Sequence, residues 1–389
     1  MSSKITARPK YIATTDARER AIITAQGLDP DRFRVKAMKA YVSANGEDRT
    51  SWQIELDKRV EAHEKEELLN ADNLATSEAN AEQFAQAVAD CTKIIRQYKP
   101  PVFKGLVGHD AFTVMTSDWQ VGKNERGVGS AETVRRYLDC LYQSEARVKM
   151  MRPMGYQMPT LLIASPGDLF EGCIGHYANQ AFTVDLDRRA QAKVIRELLT
   201  KTIVVLGRHF DHIVVMAVGG NHGEHRGSGG KVITTMADND DVAVFDSVRE
   251  AFDLAGQKNI EWHIADHELS ISREVAGVNV GLTHGHLFKG GSDAAFKWWR
   301  DQQFGREATA DVDILLAGHK HSLQVIEYSA GRTFIQSPTI DPGSAWFTET
   351  SGISSTPGVL TFRLDHENPS KFDDLKLLVP SQPILEVAA

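Results

Sequence analysis

The chain is predicted to be an α/β protein with buried, largely parallel strands, and three observations carry that expectation. After residue 101 short continuous apolar runs recur, helix-forming stretches lie between several of them, and each run ends in a cluster of polar side chains. A strand buried on both faces reads as an unbroken apolar run, and in doubly wound sheets the ligand site lies beyond the carboxyl ends of the strands. With 389 residues, 42% of them hydrophobic and 25% charged, the chain exceeds one ordinary core and suits a large domain with an appended segment.

The first segment, 1–60, is a small basic module. It carries twelve Lys and Arg against eight Asp and Glu, in a chain whose formal net charge is -8. Gly27-Leu28-Asp29-Pro30 is a turn signal, and the runs 34–38 and 51–56 are expected to pair as a hairpin. A packing arm with a solvated charged face is an equally good reading of these charges. Residues 61–101 are rich in Glu, Ala, Gln and Leu, lack Pro and Gly up to Tyr98, and stop at Pro100-Pro101, the pattern of a helical linker.

The remainder, 102–389, is the catalytic-sized domain. Its apolar runs are 112–115, 161–164, 213–218, 278–282 and 312–316, with helices expected from Ser130 to Met151 and from Asp187 to Gly207. No stretch reaches the roughly 18 to 20 apolar residues of a membrane span, and the first residues lack the apolar stretch of a secretory signal. A cytoplasmic protein with no membrane partner is therefore expected. Cys91, Cys140 and Cys173 form no CxxC pair, so a metal would be held by other ligands.

Those ligands are at hand. The five strand-end clusters are Ser117-Asp118-Trp119-Gln120, Gly167-Asp168, Gly219-Gly220-Asn221-His222, Thr283-His284-Gly285-His286 and Gly318-His319-Lys320-His321. Carboxylates, an amide oxygen and several imidazoles together suit two borderline divalent ions, with Mn first and Fe, Zn or Mg as alternatives. Two such ions about 3.5 to 4 Å apart can clamp a phosphoryl group during in-line displacement.

In this order the clusters resemble the calcineurin-like metallophosphoesterases, whose pattern is DxH, GD, GNH followed by an acid, a His often within HG, and GHxH. The resemblance covers residues 112–325, over half of the chain. It implies a four-layer sandwich, two mixed β-sheets flanked by helices, behind a small N-terminal α+β or helical extension. By motif position it implies that Asp118 and His321 bind one ion, that Asp168 bridges, and that Asn221, His284 and His319 bind the other. His222 would then face the phosphate as charged stabiliser or proton donor.

The sequence departs from that pattern twice. Gln120 stands where DxH has its His, and an amide oxygen favours harder ions, so the first ion is expected to bind more weakly and to prefer Mn or Mg to Zn. Gly223 stands where the acid should follow His222, leaving Glu224 as the candidate partner that orients it, or as an exposed side chain.

Four further residues are candidate substrate contacts: His286, His225, Arg226 and Lys297. Lys297 lies in a stretch, 289–300, whose glycines, basic groups and tryptophans read either as a phosphate- and base-gripping rim or as an amphipathic helix burying Phe296 and Trp299. The segment 122–126 resembles the loop after the first motif in double-strand-break repair nucleases of the same family. That resemblance, with the basic module and the tryptophan-bearing stretch, points to a DNA nuclease and hence a nucleic-acid partner. The chain has no Walker A motif, so an ATPase would be a separate partner. A phosphoesterase core behind a small basic head also resembles phage-encoded members that act in a host cytoplasm. A homodimer is open to it. The alternative reading is a cyclic-nucleotide or small-molecule phosphodiesterase, which suits the acidic balance of the chain.

Overall fold

A computed structural model describes residues 17–42, 48–56, 95–96, 98–99, 109–227, 230–290, 293–341, 343–344, 348–349, 352 and 354–381. The chain divides into two compact units, 1–83 and 84–389. Most of the expected linker, 61–101, falls outside the described residues.

In the first unit, helix α1 (Ala17–Ala25) precedes strands β1 (Phe33–Val42) and β2 (Asp48–Leu56). The strands pair antiparallel from Phe33 opposite Leu56 to Val42 opposite Asp48, which is the expected hairpin. Glu19 on α1 accepts the Val35 backbone N–H at 2.8 Å, tying helix to strand.

The second unit is built on two sheets. One holds six strands in the order β13 (Phe372–Leu378), β12 (Val359–Leu364), β3 (Ala111–Ser117), β4 (Thr160–Gly167), β5 (His212–Ala217) and β6 (Ile260–Ile264). Within it β3 to β6 run parallel, while β12 and β13 are antiparallel additions at one edge. The other holds five, in the order β10 (Gln324–Ser329), β11 (Arg332–Gln336), β9 (Ile314–Ala317), β8 (Val278–Thr283) and β7 (Ser270–Val275). Its three central strands are parallel and its two outer ones antiparallel. All five apolar runs read from the sequence become strands: β3, β4, β5, β8 and β9.

Alternation along each strand sorts side chains into layers. Phe112, Val114, Leu161, Ile163, Ile213 and Val215 point to a core shared with α2 (Ser130–Met151), α3 (Arg188–Gly207) and α4 (Asp240–Leu254). Their neighbours Ala111, Met115, Leu162, Ala164, Val214 and Met216 point the other way, onto Val278, Val280, Leu282, Ile314 and Leu316 of the second sheet. That sheet's far face, with Leu315, Ala317 and Phe334, packs on Trp299 of α5 (Ala294–Gly305). The result is two mixed sheets between helices, the architecture expected from the sequence.

The helices follow from their sequences. α2 buries Thr133, Tyr137, Leu141, Ser144 and Val148 at helical spacing, and nothing in it is Pro or Gly. Asp187 caps α3 by accepting the Ala190 N–H at 2.8 Å, and Asn239 caps α4 by accepting the Asp241 N–H at 3.0 Å. Among the described residues no helix is long and apolar enough to cross a membrane.

Because Leu162 is fully buried between the sheets, Leu162→Ala should lower the unfolding free energy of the larger unit by about 2 to 5 kcal/mol. Chemical denaturation reads this, and a loss below about 1 kcal/mol would mean that the two sheets do not share a close-packed core.

Candidate metal centre

Strands β3, β4 and β5 of one sheet and β8 and β9 of the other deliver the five polar clusters from their carboxyl ends. The backbone there is strained in a consistent way. Of ten non-glycine residues with positive φ among those described, five are candidate ligands: Asp118, Gln120, Asp168, His319 and His321. The left-handed region is costly for residues with a Cβ, and such strain persists where the surrounding structure over-determines it. Close approach fixes the glycines as well. A Cβ on Gly220 would run into the Asp168 carboxylate and backbone, and one on Gly318 into Ser117 and Asp118.

Asp168, His284 and His319 present ligand atoms all within 4.8 Å of one another. His284 Nε2 lies 3.0 Å from Asp168 Oδ2 and 3.0 Å from Asn221 Oδ1, so the amide oxygen joins the same cluster. The ring is aimed by its other nitrogen: Nδ1 donates to the Pro166 carbonyl at 2.8 Å, which leaves Nε2 as the ligating atom. Burial works against a cation at His284, yet the Asp168 carboxylate and the Pro166 carbonyl raise its pKa to about 9. His319 moves the opposite way, to about 3, through burial and repulsion from His284. Asp168 thus favours a cation at His284, and a second protonated imidazole at His319 is disfavoured. Two oxygens and two imidazole nitrogens, with Asp168 and His284 buried, Asn221 and His319 half-buried, and the Pro166 carbonyl holding the His284 ring, fit one borderline divalent ion.

A buried carboxylate positions these loops. Asp241, in the first turn of α4, accepts backbone N–H bonds from Asp168 and Gly220 at 2.9 Å and from Leu169 at 3.0 Å. Asn239 donates its side-chain amide to the Gly220 carbonyl at 2.9 Å. The loops after β4 and β5 are therefore stitched to one helix terminus.

The other half of the centre is different. Asp118 accepts Ser117 Oγ–H and, at 3.0 Å, the His319 backbone N–H; His321 Nε2 sits 3.3 Å from its Oδ1. Gln120 Oε1 accepts a hydrogen bond from the Lys123 ammonium at 2.8 Å, and Lys123 also pairs with buried Asp341. The Gln120 amide nitrogen faces His222 Nε2 at 3.2 Å.

His222 is held on three sides. Its Nδ1 donates to the Glu171 carbonyl at 2.9 Å, with the Glu171 carboxylate 3.5 Å away, and its backbone N–H donates to Asp168 Oδ1 at 2.8 Å. The His176 ring stacks on it at 4.3 Å with only 4° between planes. Glu171, not Glu224, is the acid beside His222; Glu224 instead pairs with Arg226 at 2.5 Å.

The candidate substrate contacts are scattered by comparison. The His286 ring centroid lies 5.4 Å from that of His284, and its Nδ1 is buried with no hydrogen-bond partner. His225 engages Arg188 and lies 3.3 Å from Asp238. Lys297 is exposed and bridges at 2.7 Å to Asp293, which immediately precedes α5. Trp299 is in the core and donates to the Thr309 carbonyl at 2.8 Å, while Trp298 packs against Phe288. Within 289–300 the described helix begins at Ala294; it buries Trp299 as the helical reading expects, but not Phe296, which rests partly exposed on Tyr328.

Sequence reasoning passed over Asp241, Glu171 and the burial of Lys123. All three act through folding contacts with loops distant in sequence, and no local pattern announces them.

Asp241→Asn keeps the side-chain volume but turns a donor toward a backbone N–H, so metal affinity should weaken by about 10- to 100-fold while the fold survives. Calorimetric titration beside circular dichroism checks this; unchanged affinity would remove Asp241 as the organiser of the loops.

No family model matches the chain, and no curated protein does. Among solved structures it is similar to Vps29 of Entamoeba histolytica complexed with zinc, at 12% identity over 68% of this chain and 96% of that one, with a TM-score of 0.27. A conserved uncharacterized protein of Streptococcus pneumoniae, described as a predicted phosphoesterase, gives 13% identity over 66% and 84%, with a TM-score of 0.25. A hypothetical protein of Thermus thermophilus gives 10% identity over 70% and 100%, with a TM-score of 0.26. Likeness at these scores carries no argument about the site, which stands on its own strand order and side chains.

Proposed function

We propose that the protein is a metal-dependent phosphodiester hydrolase. The observation that carries this reading is the convergence of Asp168, Asn221, His284 and His319 from four strand ends in two sheets, with His222 fixed beside them. The motif order, which resembles that of calcineurin-like metallophosphoesterases, supports the same conclusion.

Bound at these four residues, a divalent ion (Mn, Fe, Zn or Mg) would supply electrophilic pull on a phosphoryl oxygen. The chain does the rest. Asp168 and Asn221 contribute hard oxygens and His284 and His319 imidazole nitrogens, and the Pro166 carbonyl keeps His284 in the ligating tautomer. The Glu171 carbonyl takes His222 Nδ1–H, so Nε2 is the atom turned toward the site. Once protonated there, His222 opposes the charge building on the phosphoryl group and gives its Nε2 proton to the departing alkoxide. The stacked His176 ring restricts rotation of that imidazole.

A nucleotide-sized diester is the substrate class that the geometry supports best. The nuclease expectation leans on the basic module, the segment 122–126 and a rim of Trp and Lys; of that rim, Trp299 lies in the core and Lys297 is paired with Asp293. A net charge of -8 also asks less of a small substrate than of a polyanion.

With Mn present, wild-type protein should hydrolyse bis-p-nitrophenyl phosphate or cyclic nucleotides. Asp168→Ala should lose both metal and activity, whereas His222→Ala should keep its metal and turn over about 100-fold more slowly or worse. Bound metal with no diester hydrolysis would identify a binding protein instead, and cleavage of single- or double-stranded DNA at low salt would return the substrate to nucleic acid.

A further inference from the structure

The resemblance implies two ions bridged by Asp168, and the position completed by Asp118, Gln120 and His321 does not fit one. Gln120 has two polar atoms and both are committed. Its oxygen accepts from Lys123 at 2.8 Å and its nitrogen faces His222 Nε2 at 3.2 Å. Flipping the amide would set its NH2 against an ammonium that can only donate, so Lys123 fixes the orientation. The oxygen, the one atom of Gln120 able to bind a metal, is thus the atom under the ammonium.

The surroundings reinforce this. Lys123 is almost wholly buried and pairs with Asp341, itself buried and 3.9 Å from His321 Nδ1. Asp341 is pinned in turn: its Oδ1 accepts the Gly343 N–H at 2.7 Å, and its backbone N–H donates to Thr339 Oγ1 at 2.9 Å. Thr339 also donates to the Asp118 carbonyl at 2.7 Å, linking the lysine pair to the strand end that carries Asp118. A divalent ion at this position would have to displace the Lys123 ammonium from Gln120 Oε1 or lie against it, a like-charge contact that the paired Asp341 carboxylate tempers. Asp118 is meanwhile occupied structurally, by Ser117 Oγ–H and the His319 backbone N–H.

We propose that the centre binds a single divalent ion, on Asp168, Asn221, His284 and His319, and that the Lys123 ammonium takes the electrostatic place of a second ion. The inference rests on the metal-dependent reading above and deepens it. Through Gln120 the ammonium also bears on His222: the amide that Lys123 orients donates to Nε2 while that nitrogen is unprotonated, and has to move off before Nε2 can carry the proton given to the alkoxide. Lys123 is a positioning residue in this scheme, and Gln120 is its link to the imidazole.

Metal content separates the two schemes without using activity. Full-length protein equilibrated with excess Mn, freed of unbound metal and analysed by inductively coupled plasma mass spectrometry should hold one ion per chain, with the electron paramagnetic resonance signal of isolated Mn. The double variant Gln120→His, Lys123→Ala removes the ammonium and restores an imidazole, and should hold two ions with an exchange-coupled signal. Two ions per wild-type chain, or a coupled signal from it, would overturn the inference and leave the phosphoesterase reading intact. A folded double variant that still holds one ion would overturn the role given to Lys123. Should that variant fail to fold, the conservative Lys123→Arg substitution takes its place: it should retain one ion, and two would overturn the role equally. No ion in the wild type would bring down the metal-dependent reading itself.

Discussion

The site depends on one buried carboxylate. Asp241 gathers N–H groups from the loops after β4 and β5, so that Asp168 and Asn221 face the same point. It sits in the first turn of α4, where the helix dipole favours negative charge, while burial and the Asp168 charge raise its pKa. Backbone donors partly offset that cost. Without such an acceptor, four buried N–H groups, those of Asp168, Leu169, Phe170 and Gly220, would lose their partner, each a penalty of about 1 to 3 kcal/mol, and the left-handed turn at Asp168 would lose its support.

A second constraint is geometric. Ligands come from both sheets, oxygen donors from β4 and β5 and imidazoles from β8 and β9, so the centre exists only where the sheets stack with their carboxyl ends aligned. The apolar layer between them, from Leu162 and Met216 to Leu282 and Leu316, sets that registry. Burial of the layer therefore does positional as well as stabilising duty. The strain stored at Asp118, Asp168 and His319 is held by this packing, in keeping with turns that serve a site rather than a core.

Much of this was legible in the sequence. Runs such as Phe112 to Met115 and Ile213 to Val218 became strands because an unbroken apolar stretch of that length suits burial on both faces. α2 begins and ends where its pattern predicts, at Ser130 and Met151. The ligand cluster followed because strand-end position and residue type both pointed to it. What local pattern could not show was the wiring between loops. Glu171 rather than Glu224 accompanies His222 because the chain after β4 folds back across the site. Lys123 reads as a loop residue until Asp341, more than 200 positions later, buries its charge. The helical reading of 289–300 places Trp299 in the core, where the second sheet covers it, but it also places Phe296 there, and that ring lies on the open side of α5.

The central claim is that a divalent ion sits among Asp168, Asn221, His284 and His319. Anomalous diffraction from crystals soaked in Mn or Zn, collected on either side of the metal's absorption edge, tests it most directly. A strong peak within coordinating distance of those four residues is the predicted result. An empty pocket in a folded, metal-saturated crystal, or a peak elsewhere, would contradict it.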